Sequence, residues 1–283
     1  MFSRVLFPTD CSARARSLIA LLAGLDPRPS QVCAAVVVPI SGMEQPVIEE
    51  HLRSAKSSLE SLVAPLTDAG IEVVTRVLTG RPTQTLLKTA AETHSDSILV
   101  GSYGKDPMEE VLRGSLSADL TRNSNLPIAS MRFGALWDKD LDACTQIGAA
   151  LYKRPLHPTD MSECSQRALM HLTTSWTGHI DRVDHVHVID DVHQASAVHQ
   201  RRVEDAHRYL DAWRVRLGDV DIDAASHLIE GDPVADSLRL AHELGSSCIV
   251  LGSHGKSLMR EAVVGSVSQA LLRMANVPVV VMH

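Results

Sequence analysis

The chain repeats itself. The segment LFPTDCSARA near residue 6 returns as LHPTDMSECS near residue 156, and the stretch from Thr79 to Lys105 returns from Glu230 to Lys256. GSLSADLTRNSNLPIA from Gly114 returns as GSVSQALLRMANVPVV from Gly265. Order, spacing and residue class all survive at an offset of 150 to 151 residues. Such self-similarity means two copies of one folding unit. The 283 residues then divide into two domains, at about 140 residues each an ordinary domain size. The boundaries read as 1–133 and 151–283, joined by a segment, 134–150, that matches neither copy.

A 45% hydrophobic and 22% charged composition supplies two cores and excludes a disordered chain. A net charge of −7 argues against broad electrostatic binding to nucleic acid or to an anionic membrane. MFSRVLFPTD turns polar too soon for a signal peptide, and no run of 18 apolar residues exists to span a bilayer. Five cysteines form no CxxC pair, so reduced thiols and a cytoplasmic location are expected.

Each copy alternates short β-branched runs with helical patterns. In the first, Arg4–Phe7, Val32–Val38, Glu72–Leu78, Ser97–Val100 and Pro127–Arg132 read as strands, and Ser12–Ala23, Pro46–Ala69, Pro82–Thr93 and Ser115–Asn123 as helices. Apolar residues on consecutive strand positions suit a parallel sheet covered on both faces. The second copy reads alike, with strands near Arg154–His157, Arg182–Ile189, Asp223–Ile229, Ser247–Leu251 and Pro278–Met282. Strand–helix alternation predicts right-handed crossovers, hence an α/β fold of two tandem, doubly wound domains. Tyr209, Trp213 and Leu217, spaced four apart, are expected to form one buried helix face.

The fourth strand of each copy runs into a glycine loop, G-x2-G-x9-G-S, built from Gly101, Gly104, Gly114 and Ser115, and again from Gly252, Gly255, Gly265 and Ser266. Glycine lets a backbone approach an anion and adopt positive φ. The last Gly–Ser of each loop opens a helix, whose free N–H groups favour phosphate. In an open α/β sheet, ligands settle beyond the carboxyl ends of the strands, where these loops lie. Pro-Thr-Asp at the end of strand one, with Thr9 and Asp10, then Thr159 and Asp160, adds a carboxylate there. Asp10 serves equally well as acceptor for a nucleoside or as cap of the helix that follows.

Both halves resemble the universal stress protein family, and the glycine spacing resembles that family's ATP-binding signature. The resemblance implies a five-stranded parallel sheet of order 3-2-1-4-5 flanked by helices. It implies adenine nucleotide as partner, ATP foremost with AMP or ADP as alternatives, Mg as companion ion, and an aspartate after strand one that faces the nucleoside. Carried over, the nucleotide-binding residues are Thr9, Asp10, Gly101, Ser102, Gly104, Gly114, Ser115 and Leu116 in the first copy. In the second they are Thr159, Asp160, Gly252, Ser253, Gly255, Gly265, Ser266 and Val267. The family's adenine-contacting valine after strand two matches Val188, and Val38 or Pro39 in the first copy. The apolar last strands resemble the family's dimer contact, which implies an internal pseudo-dimer of the two halves and leaves room for a homodimer.

Other features weigh less. Most of the 14 histidines lie after residue 150, with His185 and His187 on one strand face and His193 and His199 nearby, but no cysteine or acid completes a metal-ligand spacing. Lys105, Lys256 and Arg113 read as solvated surface or phosphate neutralisers, and Tyr103 and His254 as surface or ligand cover. A stress-response regulator that binds ATP without efficient catalysis fits best, since there is no G-x4-G-K-[ST] loop. Slow hydrolysis or autophosphorylation at Ser115 or Ser266 is the most such a site would do. The alternatives are an adenine-nucleotide hydrolase or adenylating enzyme, which needs an SGGxDS-like loop where this chain has Pro-Thr-Asp, and a dimerisation scaffold with empty pockets.

Overall fold

The structure, a computed structural model, describes residues 2–102, 116–136, 138–190, 196–253 and 265–283. It divides into two compact units, Met1–Ala149 and Ala150–His283.

The first unit contains strands β1 (Arg4–Pro8), β2 (Gln31–Val38), β3 (Glu72–Thr79), β4 (Ser97–Ser102) and β5 (Ile128–Arg132). They form a parallel sheet in the order β3-β2-β1-β4-β5, as the family resemblance implies. Helices α1 (Ala15–Gly24), α2 (Gln45–Asp68), α3 (Pro82–Glu92) and α4 (Leu116–Asn123) make the crossovers. Seven of the eight residues of β2 are buried, which explains the apolar run from Val32 to Val38. One sheet face packs Leu6, Ala35, Ile98 and Ile128 against Leu86 and Ala90 of α3 and Leu120 of α4. On α2, Leu59, Leu62, Val63 and Leu66 are buried at helical spacing, the stripe expected of an amphipathic helix.

The second unit repeats the scheme. Its strands are β6 (Pro155–Pro158), β7 (Arg182–Ile189), β8 (Asp223–Glu230), β9 (Cys248–Gly252) and β10 (Val279–Met282), and the order β8-β7-β6-β9-β10 is again 3-2-1-4-5. Its helices are α6 (Glu163–Ser175), α7 (Ser196–Gly218), α8 (Pro233–Glu243) and α9 (Ser266–Met274). Asp232 caps α8, accepting from Val234 N at 3.0 Å, with Pro233 at the first turn.

Strand register makes the correspondence between copies explicit. Pro8 pairs with Ala35 as Pro158 pairs with Val186, so Phe7, Ala34 and Val36 correspond to His157, His185 and His187. An apolar patch of the first unit has become a buried layer of histidines in the second. On α7 the buried stripe is Ala206, Leu210, Trp213 and Leu217. Tyr209, expected in that stripe, is half-buried and sets its ring edge-on to His185 of the sheet at 5.7 Å.

The segment 134–150, which the repeat reads as a joint, contains a 3-10 turn at Phe133–Ala135 and a further helix, α5 (Leu141–Ala150). Helix α5 lies against α1 at backbone distance. A Cβ on Gly24 would come within 2.1 Å of Thr145 O, and one on Gly148 within 2.1 Å of Leu21 O. Trp137 lies outside the described residues.

Candidate nucleotide site

Thr–Asp turns occupy the carboxyl end of the first strand in both units, in matching conformation. Thr9 Oγ1 accepts from Cys11 N at 3.0 Å, and Asp10 Oδ1 from Ser12 N at 2.9 Å. In the second unit Thr159 Oγ1 accepts from Met161 N at 2.9 Å and Asp160 Oδ1 from Ser162 N at 3.0 Å. These side-chain turns hold the backbone out of helix. Cys11 and Met161 sit in the left-handed region, at φ 58° and 63°. They also fix the backbone ahead of α1: with Cys11 held in the left-handed region, the chain turns through Ser12–Arg14 before α1 begins at Ala15. Capping of α6 falls to Ser162, which accepts from Ser165 N at 3.2 Å. Each aspartate is therefore a turn-former at the mouth of a cavity, and not a helix cap.

In the first unit the cavity measures about 560 Å³. Thr9, Asp10, Ser12 and Ser117 give it polar walls, while Leu18, Ala35, Val37, Leu86 and Phe133 make the rest apolar. Its counterpart in the second unit is about 340 Å³ and more polar, with Thr159, Asp160, Ser165, Asp190, Arg202, Ser237 and Ser268 in its lining. Gly265 is the N-cap of α9, and Gly265, Ser266, Val267 and Ser268 all line this cavity, so the helix's positive end borders it. Ser268 Oγ donates to Gly252 O at 3.3 Å, tying that helix start to the end of β9.

Most of the described residues singled out in the sequence meet at these cavities: Thr9, Asp10, Gly101 and Leu116 in one, and Thr159, Asp160, Val188, Gly252, Gly265, Ser266 and Val267 in the other. Val38 and Pro39 do not line the first cavity. Register makes Val37 the equivalent of Val188, and alternation along β2 turns Val38 to the other face. Neither Ser102 nor Ser253 contributes to a wall. Ser253 is buried, donating its N–H to Met282 O at 2.8 Å, with its Oγ 3.6 Å from Cys164 Sγ. Gly104, Gly114, Ser115 and Gly255, with Tyr103, Lys105, Arg113, His193, His254 and Lys256, lie outside the described residues.

The described loop glycines differ from expectation in their reason for being glycine. Gly101, Gly252 and Gly265 do not have positive φ. Gly265 has φ −58° and ψ 153°. What matters at Gly101 and Gly252 is close approach. A Cβ on Gly252 would lie 2.8–2.9 Å from Cys164 C, Cys164 O and Ser165 N, which are backbone atoms. One on Gly101 would meet Phe133 Cζ at 2.2 Å and Leu18 Cδ1 at 2.9 Å, which are side-chain ends able to turn aside. Gly252→Ala is therefore expected to destabilise the second unit by about 1–3 kcal/mol, the cost of overpacking. Gly101→Ala should cost the first unit less, and urea unfolding of the two single variants measures the difference.

Beneath the second cavity a hydrogen-bonded chain runs inward. His187 Nδ1 lies 2.7 Å from Thr159 O, and since a carbonyl only accepts, that nitrogen carries the proton. Ser165 Oγ donates to Thr159 Oγ1 at 2.7 Å, and His157 Nε2 donates to Ser165 O at 3.1 Å. His157 and His185 then pack with ring centroids 4.9 Å apart and planes tilted by 54°, both buried, with His157 Nδ1 and both ring nitrogens of His185 lacking partners among the described residues. Burial lowers the pKa of His157 to about 4, and burial beside three other histidines takes His185 well below its ordinary value. Among the described residues no three His, Cys, Asp or Glu side chains converge as a metal site. The five cysteines are free thiols, and burial pushes Cys248 up to about 12. No described helix is long and apolar enough to cross a membrane.

Sequence reading missed Val37, Ser117, Ser268, Asp190, Arg202 and Ser237. Ser117 and Ser268 were within reach, because GSLS and GSVS repeat both serines. Asp190, Arg202 and Ser237 are not repeated, so the duplication gave no signal for them.

Known proteins bear on the same two units. The chain is 26% identical over 151 residues to universal stress protein MJ0577 of Methanocaldococcus jannaschii, covering 45% of this chain and 93% of that protein. It is 23% identical over 137 residues to universal stress protein MJ0531 of the same organism, covering 45% of this chain and 81% of that one. A solved universal stress protein from Archaeoglobus fulgidus shares the fold across 99% of this chain and 95% of its own, at a TM-score of 0.75 and 21% identity. The universal stress protein family model matches residues 1–132 and again 151–283. With both copies matched over nearly their full length, the chain belongs to the universal stress protein family in a tandem, two-domain arrangement.

Proposed function

We propose that each half is a receptor for adenine nucleotide, ATP foremost, and that the protein is a stress-response regulator that reports nucleotide occupancy. One observation carries this reading: the two copies, whose cavity linings differ at several positions, both keep the same mouth. Each has a Thr–Asp turn at one wall and a helix start at the other, beyond the carboxyl ends of the strands. A cavity of about 340–560 Å³ suits a small ligand of nucleotide size. The apolar floor at Val37 or Val188 suits a base, the aspartate suits ribose hydroxyls, and the helix amides suit phosphate. The free thiols support a cytoplasmic setting, where ATP is abundant.

Titration calorimetry of the full chain with Mg-ATP tests this. Two sites per chain are expected, and Asp10→Ala and Asp160→Ala should each weaken one of them by about tenfold, the loss of a charge-assisted hydrogen bond. Turnover should stay well below an enzyme's ordinary rate of about 1 s⁻¹ or more. Absence of binding at millimolar ATP would sink the reading. Turnover at ordinary enzyme rates would replace it with the hydrolase alternative.

A further inference from the structure

The two cavities are built alike and lined differently, and the differences cluster. Pro39 and Asp190 both follow the last residue of their second strand, so the register of β2 and β7 puts them in corresponding places. Asp190 lines the second cavity and pairs with Arg202 on α7, Nη2 to Oδ1 at 3.2 Å, and Arg202 lines the cavity too. Leu86 in the first cavity corresponds to Ser237 in the second. Ser237 is 1% exposed, and its hydroxyl has no hydrogen-bond partner among the described residues. Ala15 corresponds to Ser165. Each replacement exchanges an apolar group for a polar one, and the side chains of Asp190 and Arg202 are 62% and 34% exposed at the rim.

Position assigns these groups a part in recognition. Asp190 follows Val188 by two residues, just beyond the end of β7, and β6 separates β7 from β9, the strand that leads towards the α9 start and its Gly265 where phosphate would lie. A carboxylate that only accepts, beside a guanidinium that only donates, is complementary to a heterocycle edge that offers an amino group next to a ring nitrogen. An exposed ion pair contributes little to folding, so stability is a weak reason for this pair.

Resting on the nucleotide-binding reading above, we infer that Asp190 and Arg202 form a base-edge reader in the second half alone. The 6-amino group of adenine donates to Asp190, and Arg202 donates to the adjacent ring nitrogen. The first half, where Ala15 and Leu86 line the cavity and Pro39, in the place of Asp190, does not, holds its base by apolar contact and ignores the 6-position.

Calorimetric titration of the full chain with ATP and with purine riboside triphosphate, which lacks the 6-amino group, tests the inference. In the wild type one site should prefer ATP by about tenfold, since a hydrogen bond to a charged group is at stake, and the other should bind both alike. Asp190→Ala should abolish that preference and leave the other site unchanged. Arg202→Ala should weaken ATP at the same site while adenosine weakens in parallel, because the contact is to the base. The inference is overturned if neither wild-type site distinguishes the two nucleotides, or if the preference survives Asp190→Ala. It is also overturned if Arg202→Ala weakens the triphosphates and leaves adenosine binding intact, which would make Arg202 a phosphate ligand. Failure of the wild type to bind any nucleotide overturns the receptor reading and this one with it. Binding at two sites without discrimination overturns this one alone.

Discussion

Acidification from pH 7.5 to pH 5 is expected to destabilise the second unit by about 2 kcal/mol through His157 alone, and by more once His185 is counted. The sign follows from which form burial tolerates. In the folded protein the proton leaves His157 at a pKa of about 4, whereas the unfolded chain holds it up to the ordinary value of 6.5. Between those limits the unfolded chain binds more protons. The stabilising contribution is therefore complete above pH 6.5 and is lost as the pH falls towards 4, to a total of about 3 kcal/mol. His185 works in the same direction. Urea unfolding followed by hydrogen exchange, unit by unit, measures it. His157→Phe installs the residue that the first unit has at Phe7, and it should remove much of the acid sensitivity from the second unit while leaving the first as it was. Equal acid sensitivity in the variant and the wild type would show that the histidine layer does not govern the response.

Asp184→Ala should be the most damaging single change in the second unit, costing about 3–5 kcal/mol. Asp184 on β7 is fully buried and gathers two guanidinium groups and an imidazole: Arg154 Nε at 2.9 Å, Arg182 Nε at 3.4 Å and His227 Nε2 at 3.0 Å. Burial pushes its pKa up, but the hydrogen bonds from His227 and Arg154 and the charges of Arg154 and Arg182 more than offset that, so the carboxyl stays below its usual range. Removing it leaves a half-buried guanidinium of Arg154 without its anion, and that unpaired charge is the source of the cost. A depressed carboxylate pKa means that this stabilisation holds above about pH 4 and fades only below it, so the two acid effects separate along the pH axis. Asp184→Asn keeps the shape and one acceptor and should cost less. Thermal unfolding of both variants at pH 7.5 gives the ranking, and equal losses would mean that packing, not charge, holds the site.

Much of the architecture was legible because duplication turns weak signals into strong ones. Strand runs such as Val32–Val38 and the loops at Gly101 and Gly252 were readable from apolar continuity and doubled spacing, and the turn acids Asp10 and Asp160 came with them. The limits have physical causes. Side-chain turns at Thr9 and Asp10 compete with helix locally, so the start of α1 was misjudged by three residues. A slip of one residue or more along β2 put the expected cavity-lining position at Val38 or Pro39 instead of Val37, because successive strand residues face opposite ways. Asp190, Arg202 and Ser237 meet only after β7, α7 and α8 are brought together, and nothing in their spacing announces it. Helix α5 was unreadable for the opposite reason: its fit depends on Gly24 and Gly148, residues that propensity counts against a helix.

That glycine contact has a bearing on what the gene copied. The repeated module stops near residue 132, yet Cys144 is wholly buried and the backbones of α1 and α5 touch through the notch left by two missing side chains. The matched family segment and the unit of folding are therefore not the same length. An excised first module cut at its homology boundary would bare a groove shaped for a helix it no longer owns, and the apparently idle stretch after residue 133 is better regarded as part of the first folded unit than as a tether.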